Sequence, residues 1–155
     1  MADAPAAPSV AAEKWKADGD AYFRETEHSR AWGAYAAAIG AAGAAGGAGG
    51  AGGAGGAARW LAMVYANRSA ASLGLGCATQ AAADAQRSVR CDGRWAKAHA
   101  RLAAAMAAQG DAEGAASAYR RALSLEENVR WREALRGLAG GRSHADSLER
   151  GPSTA

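Results

Sequence analysis

Along this chain the apolar positions never settle into the two-residue alternation of a strand. Almost no stretch combines β-branched residues with that rhythm. Ala, Glu, Arg, Lys and Leu dominate instead, and all are good helix formers. Six helical segments are predicted, at about 12–25, 28–40, 59–75, 78–91, 96–109 and 112–126. They fall into pairs, with short breaks at Thr26, Gly76 and Gly110–Asp111. Thr26 and Asp111 are suited to cap the helices that follow, and Gly76 and Gly110 to end those before. A shorter helix follows at 128–139, with Trp131, Leu135 and Leu138 as its apolar stripe. The reading is all-α.

Paired helices raise the question of repeats. Windows of 34 residues starting at Ala12, Ala62 and Ala96 share a frame of small residues. Position eight holds Gly19, Ser69 and Ala103; position 20 holds Ala31, Ala81 and Ala115; position 27 holds Ala38, Ser88 and Ala122. Larger side chains recur between them: Trp15, Tyr65 and His99 at position four, Tyr35 and Tyr119 at position 24. Small residues let antiparallel helices approach closely, and the rings fill the wedge that remains. The expected units are 12–45, 62–95 and 96–129.

Between the first two windows the chain reads AAGAAGGAGGAGGAGGAA, residues 41–58. Gly is costly in a helix, and this run has no side chain able to build a core, so it is expected to be flexible. It displaces the frame by 16 residues and is read as an insertion inside one array. A lone helical hairpin could not bury its apolar face, and loop closure depends only logarithmically on length. Residues 1–11 read as a disordered leader and 140–155 as a disordered tail, leaving 12–139 as the domain.

Composition sharpens the packing problem. Only 15 of 155 residues are Leu, Ile, Val or Phe, about half the share usual in a globular core. Stability is therefore expected near or below the ~5 kcal/mol floor of natural domains. The net charge of +3 is no strong nucleic-acid signal. Cys77 and Cys91 form no metal or redox motif, which points to a reduced cytoplasmic chain. His28 and His144 have no partner in a ligand pattern, so neither metal nor cofactor is expected. His99 and Trp15, Trp32, Trp60, Trp95 and Trp131 are read as packing residues, and Arg68 as a structural ion-pair partner. No phosphate loop and no nucleophile–base pair is present, so no catalytic role is expected of the chain.

At this point the chain resembles the tetratricopeptide repeat family, whose marks are a 34-residue period and the W-x2-L-G-x2-Y pattern. The first window carries Trp15, Gly19, Tyr22, Ala31, Tyr35 and Ala38; the third carries Ala103, Ala115, Tyr119 and Ala122. The second is weaker, with Ser72 and Ala85 where larger residues are usual. The Pro usual at position 32 is replaced by Gly43, Gly93 and Glu127. The resemblance implies a right-handed superhelix of three helix-turn-helix repeats, with 128–139 as a capping helix.

In such an array the first helix of each pair lines a concave groove. Lys16 and Asp20 are four apart and share a face; so do Lys97 and Arg101. With Asn67 on the helix between, three cations and an amide can meet at one point, a site suited to a carboxylate. This set resembles the carboxylate clamp of co-chaperone tetratricopeptide domains, which is Lys, Asn, Asn, Lys, Arg. Those domains grip the Glu-Glu-Val-Asp tails of the 70 and 90 kDa heat-shock chaperones. Lys16 stands three residues before Gly19, and Lys97 and Arg101 stand 30 and 34 residues after Asn67, as in that family. Asp20 departs, standing where the clamp has its first Asn. Its charge opposes a ligand carboxylate, and either Lys16 neutralises it or Asp20 holds Lys16 and Arg101 in place.

The resemblance thus implies a monomeric, non-catalytic adaptor that binds chaperone tails, with no nucleic acid or membrane partner. Two alternatives stay open. The groove could serve another protein ligand through its shape, or Arg87, Arg90, Arg94, Lys97 and Arg101 could form a basic surface for nucleic acid. In the bland reading the charged pairs are ordinary exposed helix pairs worth a few tenths of a kcal/mol.

Overall fold

The computed structural model describes residues 7–44 and 56–149, with side chains to residue 140 and Ala44 excepted. Seven helices follow one another: α1 (Val10–Arg24), α2 (His28–Ala44), α3 (Gly56–Gly74), α4 (Ala78–Cys91), α5 (Ala96–Ala108), α6 (Ala112–Leu125) and α7 (Val129–Glu149). No strand occurs among the described residues. Helices α1 and α2, α3 and α4, and α5 and α6 form three hairpins; α2 packs on α3, α4 on α5, and α7 on α6.

The nine small positions of the repeat frame are all buried. At Gly19 an added Cβ would come within 2.6 Å of the Tyr35 ring, so hydrogen alone lets α1 and α2 close on it. Where the second repeat uses Ser, the hydroxyl is satisfied across the hairpin: Ser69 Oγ donates to the Ala81 carbonyl at 2.8 Å and Ser88 Oγ to that of Ala62 at 2.7 Å. The core is thus an Ala-lined seam with a few large fillers, Tyr35, Trp60 and Val64 in the first half and Tyr119 in the second. Trp131, Leu135 and Leu138 of α7 lie half-buried on Ala100, Ala103 and Tyr119, closing the last repeat.

Three sequence expectations need correction. First, the boundaries. Helix α1 starts at Val10, inside the expected leader, because Ser9 Oγ accepts from the Ala12 amide at 3.2 Å. Helix α2 runs to Ala44 and α3 begins at Gly56, which trims the expected 41–58 insertion at both ends; residues 45–55 lie outside the described residues. Helix α7 continues to Glu149 instead of ending at 139. The expected tail opens on Gly140 and Gly141, but Gly only weakens a helix, and no Pro lies between Val129 and Pro152 to break it. The expected disorder of 1–6 and 150–155 lies outside the described residues.

Second, Thr26 ends α1 instead of capping α2. Its φ is 60°, in the left-handed region. The amide of Glu27 donates to the Tyr22 carbonyl at 2.9 Å and that of Thr26 to Phe23 at 3.1 Å, the paired bonds of a Schellman motif. Gly76 (φ 75°) and Gly110 (φ 84°) occupy the same place in the next two hairpins, with the same bond pairs. Asp111 does cap α6, accepting from the Gly114 amide at 2.8 Å.

Third, Trp15 does not fill a wedge. It is 43% exposed, with the Lys14 ammonium 5.5 Å from its ring centroid. Its counterparts Tyr65 and His99 sit on helices that have a preceding hairpin beside them; among the described residues α1 has none. His99 is buried and its Nε2–H donates to the Gly93 carbonyl at 2.9 Å, a packing role.

Candidate functional site

Helices α1, α3 and α5 are the first members of the three hairpins, and α3 touches both of the others. On α1, Lys16, Asp20 and Arg24 succeed one another at four-residue spacing, one face rising about 6 Å per step. Helix α3 presents Asn67, and α5 presents Lys97 and Arg101 one turn apart. Asp20, Asn67, Lys97 and Arg101 line one open cavity of about 240 Å³. Phe23 and Ala70 supply an apolar wall, and Arg24 and Tyr35 complete the lining.

Asp20 is the hub of the bonding. Its Oδ2 accepts from Lys16 Nζ at 2.8 Å, and its Oδ1 accepts from Tyr35 Oη at 2.7 Å and from Asn67 Nδ2 at 3.0 Å. These bonds to Lys16, Tyr35 and Asn67 serve neutralisation of Asp20 by Lys16 and positioning of Lys16 by Asp20 alike. Arg101, which was expected among the partners of Asp20, forms no hydrogen bond with it, and the Arg101 Nε is buried with no hydrogen-bond partner. Among the described residues neither Lys97 nor Arg24 is in an ion pair.

The electrostatics follow. Partial burial of its ammonium, on a side chain that is otherwise exposed, pushes Lys97 below its ordinary value, helped by the Arg101 and Lys16 charges and opposed by Asp20. Burial likewise lowers Arg101, which Tyr119 and Tyr35 partly offset. Burial, then the hydrogen bond and charge of Asp20, hold the Tyr35 hydroxyl well above the usual phenol range, against Arg101 and Asn67. A cavity with under-satisfied cations at one side favours an anion.

The other candidates fall elsewhere. Arg68 is structural, as expected: its guanidinium forks onto Asp84 at 2.9 and 2.8 Å and lies 5.2 Å from the Trp32 ring centroid. Arg87 also bonds Asp84, at 3.0 Å, so one cation of the basic-surface alternative is already paired. Lys97 and Arg101 face the groove cavity. Among the described residues no three His, Cys, Asp or Glu side chains stand close enough to hold a metal, and no helix is long and apolar enough to cross a membrane.

Sequence reasoning missed Arg24, Phe23 and the polar role of Tyr35. Arg24 was available from its spacing to Asp20. Tyr35 was read only as a filler, because nothing in the sequence shows that its hydroxyl reaches α1.

No family model matches the chain. It is 42% identical over 64 residues, 41% of its length, to the Hsp70-Hsp90 organizing protein of Triticum aestivum, covering 11% of that protein. It is 30% identical over 115 residues, 74% of its length, to DnaJ homolog subfamily C member 7 of Mus musculus, covering 20% of that protein. The chain therefore spans a fifth or less of the curated relatives it matches. Its fold superposes on the second tetratricopeptide domain of the human RPAP3 protein, solved in complex with the HSP70 peptide SGPTIEEVD, with a TM-score of 0.71 and 26% identity, covering 86% of this chain and 98% of that one.

Proposed function

We propose that this chain, a tetratricopeptide-repeat domain of the kind that co-chaperones carry, is a non-catalytic adaptor for the acidic C-terminal tails of the 70 and 90 kDa heat-shock chaperones. One observation carries the reading: Asn67, Lys97 and Arg101, from two successive repeats, line a single cavity, and the Arg101 Nε there has no partner. A peptide would lie extended along α1, α3 and α5. Its terminal carboxylate would accept from Lys97 and Arg101, with Asn67 and Asp20 forming the other wall and Lys16 bonded to Asp20. Phe23 and Ala70 would meet an apolar side chain of the ligand. Similarity to the wheat organizing protein and to a peptide-bound RPAP3 domain supports this ligand class over a shape-only scaffold. Such an adaptor would work in the cytoplasm.

The test is calorimetric titration with a peptide ending Glu-Glu-Val-Asp and with its C-terminal amide. The free acid is expected to bind about tenfold or more tighter, and the difference should shrink in Lys97→Ala and Arg101→Ala and at high salt. Equal binding of acid and amide would defeat the reading. Binding of an oligonucleotide in place of either peptide would favour the basic surface.

A further inference from the structure

We infer that Asp20 fills the place of one ligand anion in the groove, so that the site prefers a chain end bearing one carboxylate over one bearing two. The inference rests on the peptide-binding reading above and departs from it at the last residue, making the Asp that ends the chaperone tails a weaker end than Asn or Ser. A carboxylate offers about four acceptor positions. Three of those on Asp20 are taken, by Lys16 Nζ at 2.8 Å, Tyr35 Oη at 2.7 Å and Asn67 Nδ2 at 3.0 Å. Two of the four donors expected to grip the ligand, Lys16 and Asn67, are therefore already bound to an anion that belongs to the chain itself.

Lys97 and Arg101 remain, one turn apart on α5, and neither is in an ion pair among the described residues. An ammonium beside a planar guanidinium fork suits one carboxylate. A second carboxylate on the same ligand residue would meet Asp20 across the cavity, and Asp20 would have to leave three donors to admit it. A neutral side chain carrying an N–H or O–H meets no such conflict. It can donate to the acceptor position of Asp20 still open. The preferred ligand thus ends in a free carboxylate on a residue such as Asn or Ser. Arg24, exposed and one turn past Asp20, is the other unpaired cation of the lining. It is left for an acidic residue farther up the peptide.

The experiment compares peptides ending Glu-Glu-Val-Asp and Glu-Glu-Val-Asn, each as acid and amide, by calorimetry on the full chain. The Asn-ended acid should bind about tenfold tighter than the Asp-ended acid. Asp20→Asn, checked for helicity, should erase or reverse that preference. Acids that bind no better than amides sink the peptide-binding reading and this inference with it. Acids that beat amides, with the Asp-ended one equal or preferred on the wild-type chain, sink the inference alone. Should that preference vanish in Arg24→Ala, the second carboxylate has found Arg24. The wild-type comparison decides even if a variant fails to fold.

Discussion

Asn67 on α3 donates its amide hydrogen to the Asp20 carboxylate on α1 at 3.0 Å, across 47 residues of sequence. This bond joins the first hairpin to the second on the groove side, where α1 and α3 otherwise touch little compared with α2 and α3. It therefore fixes the first repeat in register as well as shaping the cavity. Asp20→Ala and Asn67→Ala should each lower the urea midpoint. Their double-mutant cycle should give a coupling of about 1–1.5 kcal/mol, at or just below the range of a bond to a charged group because the site is partly exposed. Strict additivity would show that the two hairpins are held together elsewhere.

Tyr35 and Tyr119 both carry hydroxyls whose pKa burial raises above the ordinary 10. Between that value and the folded one, the unfolded chain has lost these protons while the native chain keeps them. Stability is then whole below pH 10 and declines as pH climbs past it. Lys97 acts with the opposite sign, since its folded pKa is depressed, but its side chain is exposed and the effect should be small. Urea midpoints should fall between pH ~8 and pH ~11 in the wild type, and less steeply in Tyr35→Phe. Asp20→Asn should also bring the Tyr35 titration down, read by tyrosinate absorbance, because it removes the charge that opposes ionisation. An unshifted titration would contradict the role given to Asp20.

Thr26, a β-branched residue at φ 60°, stands where the other two hairpins have glycine. The left-handed conformation costs an L residue about 1–2 kcal/mol, while Gly in the unfolded chain costs about 0.5–1 kcal/mol in entropy. The bond from Thr26 Oγ1 to the Glu25 carbonyl is exposed and adds little. Thr26→Gly should accordingly stabilise by about 0.5 kcal/mol, and Gly76→Ala should destabilise by about 1 kcal/mol. Thermal melts of both variants check the pair; a destabilised Thr26→Gly would mean the hydroxyl bond outweighs the strain.

The fold was legible because the nine small positions repeat at fixed spacing, and helix contact is set by size at those positions. Even the second repeat, poor in large residues, kept Ser69 and Ser88 in frame. What escaped was long-range hydrogen bonding. That Asn67, Lys97 and Arg101 line one cavity follows from repeat spacing; that Tyr35 Oη and Asn67 both turn to Asp20 does not. Thr26 misled because capping residues and left-handed C-termini both fall in the break between helices, and only φ tells them apart. The expected tail from residue 140 misled for a different reason, since its leading glycines weaken a helix without ending it.

Asp84 offers the severest test of how the middle repeat holds. It is fully buried on α4, where the Arg68 guanidinium of α3 grips both its oxygens and Arg87 adds a third bond. Removing one partner of a buried pair leaves the other's charge unpaired, at a cost of about 3–5 kcal/mol. Against a domain stability near ~5 kcal/mol, Asp84→Ala should leave about 0–2 kcal/mol, so that a fraction of up to about half is unfolded at room temperature by circular dichroism. Arg87 is 43% exposed and duplicates a bond, so Arg87→Ala should cost less than ~1 kcal/mol. Replacing both members, Asp84→Leu with Arg68→Met, should recover most of the loss, because two desolvated charges give way to apolar packing. A double variant no better than Asp84→Ala would mean that the pair also orders the α3–α4 contact, through the Arg68 stack on Trp32 and Tyr65.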